Sequence, residues 1–260
     1  MNHSIIETGH ATLAPSGLGW TLGGITFDLF LMLTWTSLIV FMLVGWKKKR
    51  VQNCDAHFLR LFACHSNCTN LLEKDWSFLE SDHLNSPQKS NFIISEAQID
   101  SNSRVLVSIP SEDFVDRLVH SSKCKLLLVV HDSLFVLAGI KEKHDLVKCW
   151  QGELIYVPEK WGPFDVVFLC YLPALPFDLH QIFHTIAKRC LPGARLVISF
   201  SQGREVVDQQ RKEYTDVVVS DLPQKQNLEK VAADNSFEIT KFVDEPGFYL
   251  AVLKFCGGAC

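Results

Sequence analysis

From Ile25 to Trp46 the chain carries one charge, Asp28, and residues 29–46 (LFLMLTWTSLIVFMLVGW) carry none. A helix over 25–46 is roughly 33 Å long at 1.5 Å per residue, enough to cross a hydrocarbon core of about 30 Å. A core helix of a soluble domain shows a polar face, and this run has none. Trp20 and Trp46 suit the two interfaces, and Asp28 lies near the first end, within reach of water or headgroups. The run stops at Lys47-Lys48-Lys49-Arg50, and residues 1–24 hold no lysine or arginine. A cleavable signal begins basic and ends on small residues, and a mitochondrial presequence is rich in arginine. The pattern predicts instead a short tail at 1–24 and one transmembrane helix at 25–46. The cations on the C-terminal side of that helix place the tail outside and the rest of the chain in the cytosol. The expected setting is a single-pass protein of an endomembrane (ER or Golgi), with the lipid bilayer as a partner. Of the sequons Asn2-His3-Ser4 and Asn67-Cys68-Thr69, the second then carries no glycan; glycosidase-sensitive mass mapped to Asn67 would reverse the orientation.

The 25 Lys and Arg against 29 Asp and Glu give a net charge of −4, with no basic surplus to bind nucleic acid. The nine cysteines are scattered and odd in number, which fits free thiols in a reducing compartment better than a disulfide framework. Residues 47–101 are expected to be a juxtamembrane region and linker. Cys54 to Phe62 has the spacing of a short amphipathic helix, and 76–100 has the composition of a polar linker. Cys54, His57, Cys64, His65 and Cys68 match no common zinc spacing, so no metal is expected there; S-acylation is the better reading of these cysteines. The C-terminal Cys-Gly-Gly-Ala-Cys is not a prenylation box, because Gly257 is fourth from the end.

From residue 102 to 256 the pattern is regular. Strands are predicted at 104–110 (RVLVSIP), 125–130 (KLLLVV), 153–157, 164–171 (FDVVFLCY) and 195–200. Helices are predicted at 111–121, 133–144 and 177–190. Two last strands, 237–243 and 249–255, flank Glu245-Pro246-Gly247, a hairpin signal. Strands that alternate with helices and are apolar on both faces imply an α/β fold. The expected architecture is a Rossmann-like, doubly wound, mostly parallel sheet with a C-terminal antiparallel hairpin. In such sheets ligands bind outside the carboxyl ends of the strands.

Residues 186–198 (IAKRCLPGARLVI) resemble the stretch before strand five of class I S-adenosylmethionine-dependent methyltransferases, written R-x-L-K-P-G-G-x-L-x-I. Phe164-Asp165-Val166-Val167 is similar to that family's strand-four start, and Gly152-Glu153 stands where the family often has Gly-Asp before it. The resemblance covers about residues 102–256 and is nearest in flavour to the ubiquinone-biosynthesis type. It implies S-adenosyl-L-methionine as cofactor, methyl transfer to an unidentified acceptor, and roles for particular residues. Asp132, ending strand two, would accept from the ribose hydroxyls; Glu153 would accept from the adenine amine; Tyr171, after strand four, would pack on cofactor or acceptor. Ser108 and Pro110 fall in the loop after strand one, which in the family approaches the cofactor with glycine backbone. Here Ile109, Ser111 and Asp113 take the three glycine places and Val107 replaces the usual acid. Side chains there crowd a cofactor, and Pro110 lacks an N–H. Two readings stay open: a membrane-anchored methyltransferase, or a catalytically inactive module of that fold that binds a protein partner. His180 and His184, one turn apart, read as an exposed helix face.

Overall fold

A computed structural model describes residues 73–80 and 86–257, all within a compact unit spanning Asn70–Cys260. The apolar run 25–46, its basic flank and Cys54, Cys64 and Cys68 lie outside the described residues. Among the described residues no helix is long and apolar enough to cross a membrane.

Seven strands form one sheet: β1 (Arg104–Ser108), β2 (Leu126–His131), β3 (Lys148–Gln151), β4 (Phe164–Leu169), β5 (Cys190–Phe200), β6 (Phe237–Glu245) and β7 (Phe248–Phe255). Their order is β3-β2-β1-β4-β5-β7-β6. The first five are parallel, and β7 runs antiparallel to β5 and to β6. The chain reverses direction of travel across the sheet between β1 and β4, the switch point where such folds bind ligands.

Period-two alternation sends neighbouring residues to opposite faces. Val105, Val107, Leu127, Val129 and Phe168 pack beneath helices α1 (Ser86–Glu96), α2 (Glu112–Ser121) and α3 (Leu134–Lys143). Leu106, Leu128, Val167, Leu196 and Ile198 face α4 (Leu179–Ala187), α5 (Arg204–Glu213) and α6 (Lys225–Asp234). Both faces are therefore covered, as a parallel sheet requires. Ser111, Ser133 and Asp178 cap α2, α3 and α4 through side-chain oxygens that accept from Phe114, Val136 and Gln181 amides.

Two expectations are corrected. The third strand lies at 148–151, not 153–157. Lys148, Cys149, Trp150 and Gln151 form an edge strand that is nowhere fully buried, so no apolar run marks it. Leu154–Tyr156 is a 3-10 turn whose Leu154 closes the core. The expected polar linker at 76–100 contains helix α1, whose Ser90, Ile93, Ile94 and Ala97 are buried at i, i+3, i+4 and i+7. Residues 77–80 form a 3-10 turn, and Trp76 and Phe78 are buried rather than exposed. Cys124, Cys149, Cys170 and Cys190 are free thiols, and burial pushes the Cys190 thiol up to about 12.

Candidate functional site

The carboxyl ends of β1, β2, β3 and β4 meet at one edge of the sheet. β2 ends on His131, and the next residue, Asp132, is partly exposed. β3 ends on Gln151, whose side-chain amide donates to the Asp132 carbonyl at 3.3 Å, while the Gly152 amide donates to the His131 carbonyl at 3.1 Å. These two bonds hold the ends of β2 and β3 together. Gly152, at φ +125°, then turns the chain to Glu153; a side chain is strained there. Asp132 and Glu153 thus become neighbours. Burial pushes the Glu153 carboxyl above its usual range, the Asp132 charge adds to the rise, and the Lys74 ammonium opposes it. Lys74 Nζ lies 2.8 Å from an Asp132 carboxylate oxygen.

His131 is fully buried. Its Nδ1 accepts from the Ser133 amide at 2.9 Å, which puts the ring proton on Nε2. Burial, opposed by Asp132 and reinforced by Lys74, lowers its pKa to about 4, so the imidazole is neutral. Among the described residues Nε2 has no hydrogen-bond partner, and neither do Ser108 Oγ at the end of β1 nor Trp76 Nε1. The Trp76 indole lies edge-on to the His131 ring, with centroids 4.6 Å apart. Buried polar atoms without partners cost of the order of 1–3 kcal/mol each, so this concentration at strand ends marks a place for a polar ligand.

The loop after β1 makes a tight turn without glycine. Ile109 has φ +51° and is buried, and its amide donates to the Val130 carbonyl at 2.9 Å. A β-branched residue at positive φ is an outlier of the kind found at functional sites. Pro110 is buried beside it, and Ser111 spends its hydroxyl on the α2 cap. Glu112 and Asp113 fill the first turn of α2, where their charges complement the helix dipole and oppose a further anion.

Tyr171 lies 1% exposed beneath Phe78, with ring centroids 5.3 Å apart, and against Phe200 at 4.9 Å. Its hydroxyl donates to Gln210 Oε1 at 2.8 Å. Tyr171→Phe strands that buried acceptor, so it is expected to cost about 1–2 kcal/mol in chemical denaturation while leaving ligand affinity unchanged. A fall in affinity without loss of stability would return Tyr171 to the ligand's first contacts. His180 sits half-exposed, its Nδ1 4.0 Å from an Asp234 carboxylate oxygen. Among the described residues no group of three or more His, Cys, Asp or Glu is placed to hold a metal ion.

Of the residues singled out from sequence, the structure brings Asp132 and Glu153 together. Ser108 stands at the neighbouring strand end, Pro110 closes the turn after β1, and Tyr171 is in the core below. Lys74, Trp76 and His131 were not legible in the sequence: the first two come from a segment read as linker, and His131 was taken only as a strand end.

A cavity of about 630 Å³ opens on the other side of β4, between Leu172, Phe177, Ile182, Arg204 and Leu222. Arg204 is already engaged there, by the carbonyls of Leu222 and Pro223 and by the Asp244 carboxylate at 2.7 Å.

Solved structures share this architecture. A chain of the complex between the Haloferax volcanii Trm112 methyltransferase activator and a methyltransferase candidate superposes with a TM-score of 0.54 at 11% identity, over 64% of this chain and 88% of that one. The S-adenosylmethionine-dependent methyltransferase of Mesorhizobium loti gives 0.52 at 14%, over 63% and 96%. The N-methyltransferase NodS of Bradyrhizobium japonicum, solved with S-adenosyl-L-homocysteine, gives 0.52 at 12%, over 69% and 91%. The domain therefore has the fold of S-adenosylmethionine-dependent methyltransferases. No family model matches the sequence, and no curated protein matches it.

The residues at the strand ends fit one half of that cofactor. Two adjacent carboxylates and the unpartnered Nε2 and Oγ suit the hydroxyls and amine of an adenosine. The Ile109–Ser111 turn offers the amino-acid half no glycine backbone, and the acids of α2 do not welcome its carboxylate.

Proposed function

We propose that this chain is a methyltransferase that takes S-adenosyl-L-methionine at the carboxyl ends of β1 to β3. The observation that carries the reading is that Asp132 and Glu153 follow the ends of β2 and β3, which hydrogen bonds tie together, and that the Asp132 charge acts on the Glu153 carboxyl. When bound, the cofactor supplies a methyl group on a sulfonium. Asp132 would accept from the ribose hydroxyls, a charge-assisted contact. Glu153, whose carboxyl burial and the Asp132 charge push above its usual range, would meet the adenine edge. Methyl transfer needs alignment above all, so no acid–base pair has to appear beside the acceptor. The cavity between Leu172 and Arg204 is where an acceptor would approach, on the far side of β4 from the acid pair.

Several finer points belong to the same proposal. Residues 25–46 would hold the domain at a membrane, with the domain in the cytosol, and the ubiquinone-biosynthesis type remains the nearest flavour of the sequence. A protein partner is part of the picture, since the Haloferax chain was solved in a complex with an activator. The side chains at 109–111 favour a second reading, a non-catalytic module of the same fold.

Titration calorimetry of the full-length chain in mild detergent separates the two. The enzyme reading expects binding of S-adenosyl-L-methionine that Asp132→Ala weakens at least tenfold, the loss of a hydrogen bond to a charged group. Absence of binding at millimolar ligand leaves the module; binding indifferent to Asp132→Ala puts the cofactor elsewhere.

A further inference from the structure

The segment 73–80 lies over the candidate site. Lys74 is paired to Asp132 at 2.8 Å. Two residues on, the Trp76 indole is buried against His131, the residue that ends β2. Phe78 is then buried against Tyr171, which follows β4, and against Tyr214 at 4.7 Å. A bond from the Leu79 amide to the Trp76 carbonyl, 3.0 Å, tightens the turn between them. One short segment thus crosses from the end of β2 to the end of β4, with a cation at one end and two buried rings.

We propose that residues 73–80 are a strap that competes with the cofactor for its seat: Lys74 takes the carboxylate that the ribose would use, Trp76 covers the neighbouring ground, and the strap lifts when the cofactor binds. The inference rests on the cofactor reading above and adds its regulation. Three features support it. The Asp132 oxygen that Lys74 holds is not free to accept from a ribose hydroxyl at full strength. Trp76 Nε1 and His131 Nε2 are both buried without a hydrogen-bond partner among the described residues, so the covered state leaves polar groups unsatisfied that a nucleoside could satisfy. The two ends of the strap also differ in hold. The Lys74–Asp132 pair is about one-third exposed at each side chain, so it is a weak latch, whereas the rings are buried. Anything that binds the open state alone draws the equilibrium toward it by mass action.

The test measures binding of S-adenosyl-L-homocysteine to the full-length chain, its Lys74→Ala and its Trp76→Ala variants, together with hydrogen exchange of the 73–80 peptide. The strap predicts about three- to fivefold tighter binding for Lys74→Ala, the worth of a partly exposed ion pair, and a larger gain for Trp76→Ala. It also predicts faster exchange across 73–80 in the wild type when ligand is added. Lys74→Ala changes a surface pair only, so it reports even where Trp76→Ala folds poorly. If the wild type binds, the variants bind equally or more weakly, and 73–80 becomes no less protected, the cofactor reading stands and the strap is wrong; Trp76 then belongs to the cofactor's own contacts. If none of the three proteins binds at millimolar ligand, both the cofactor reading and the strap fall.

Discussion

Between pH 7.5 and pH 4.5 the domain is expected to lose about 2.5 kcal/mol of folding stability through one side chain, His131. Its imidazole is buried, its Nδ1 accepts from the Ser133 amide, and its pKa falls from 6.5 to about 4 in the folded chain. The neutral ring is the form that folds. Stability from this group is therefore whole above pH 6.5 and drains away as the pH falls toward 4, while the unfolded chain takes up a proton that the folded chain refuses. Asp132 moderates the effect and Lys74 deepens it, but desolvation leads. His131→Asn keeps an acceptor for the Ser133 amide and has nothing to titrate. Urea denaturation of both proteins at the two pH values checks the expectation: the wild type loses about 2.5 kcal/mol more than the variant. Equal losses would mean that His131 is reached by water in the folded chain, and that the ground beneath Trp76 is open.

The second large effect is at Ile109, and its sign is unusual. Truncating a buried isoleucine to alanine costs about 2–5 kcal/mol, and Ile109 is buried at 6% exposure. At an ordinary strand end glycine is worse than alanine by about another 1 kcal/mol, through backbone freedom in the unfolded chain. Here φ is +51°, a region that costs an L-residue about 1–2 kcal/mol and glycine nothing. The relief offsets the backbone freedom, and the lost methyl, worth about 0.8 kcal/mol, takes back most of what remains. Ile109→Gly is therefore expected to be about as stable as Ile109→Ala, within about 1 kcal/mol. A glycine variant clearly less stable than the alanine one would mean that the turn after β1 is not left-handed. The comparison bears on the proposed function too, because this left-handed turn lies beside the strand ends where the cofactor is proposed to sit.

These two residues show where the sequence speaks and where it is silent. Strands β1, β2, β4 and β5 were legible because VLVS, LLLVV, FDVVFL and ARLVISF are buried on both faces over most of their length and are mainly apolar. The hairpin was legible because Pro246-Gly247 interrupts two alternating runs. β3 was not, since Lys148–Gln151 is a half-covered edge whose order comes from its bonds to β2. Helix α1 carried its signal in Ser90, Ile93, Ile94 and Ala97, but the polar residues around them masked it. At the site, Asp132 was legible from its place after an apolar strand. Glu153 was picked out as the start of a strand, whereas it follows one; Gly152 and the bonds to His131 and Asp132 bring it to its neighbour. Lys74 and Trp76 have no local pattern at all. The pairing of Lys74 and the burial of Trp76 are tertiary facts, imposed by the strand ends they meet.

S-adenosyl-L-methionine is proposed to sit where β2 and β3 end. Ultraviolet cross-linking of methyl-tritiated S-adenosyl-L-methionine to the full-length chain, followed by peptide mapping, tests it most directly. Label is expected in the peptides that contain His131-Asp132 or Trp150 to Tyr156, and it should be displaced by S-adenosyl-L-homocysteine. Displaceable label confined to peptides away from these strand ends, or no displaceable label at all, would contradict it.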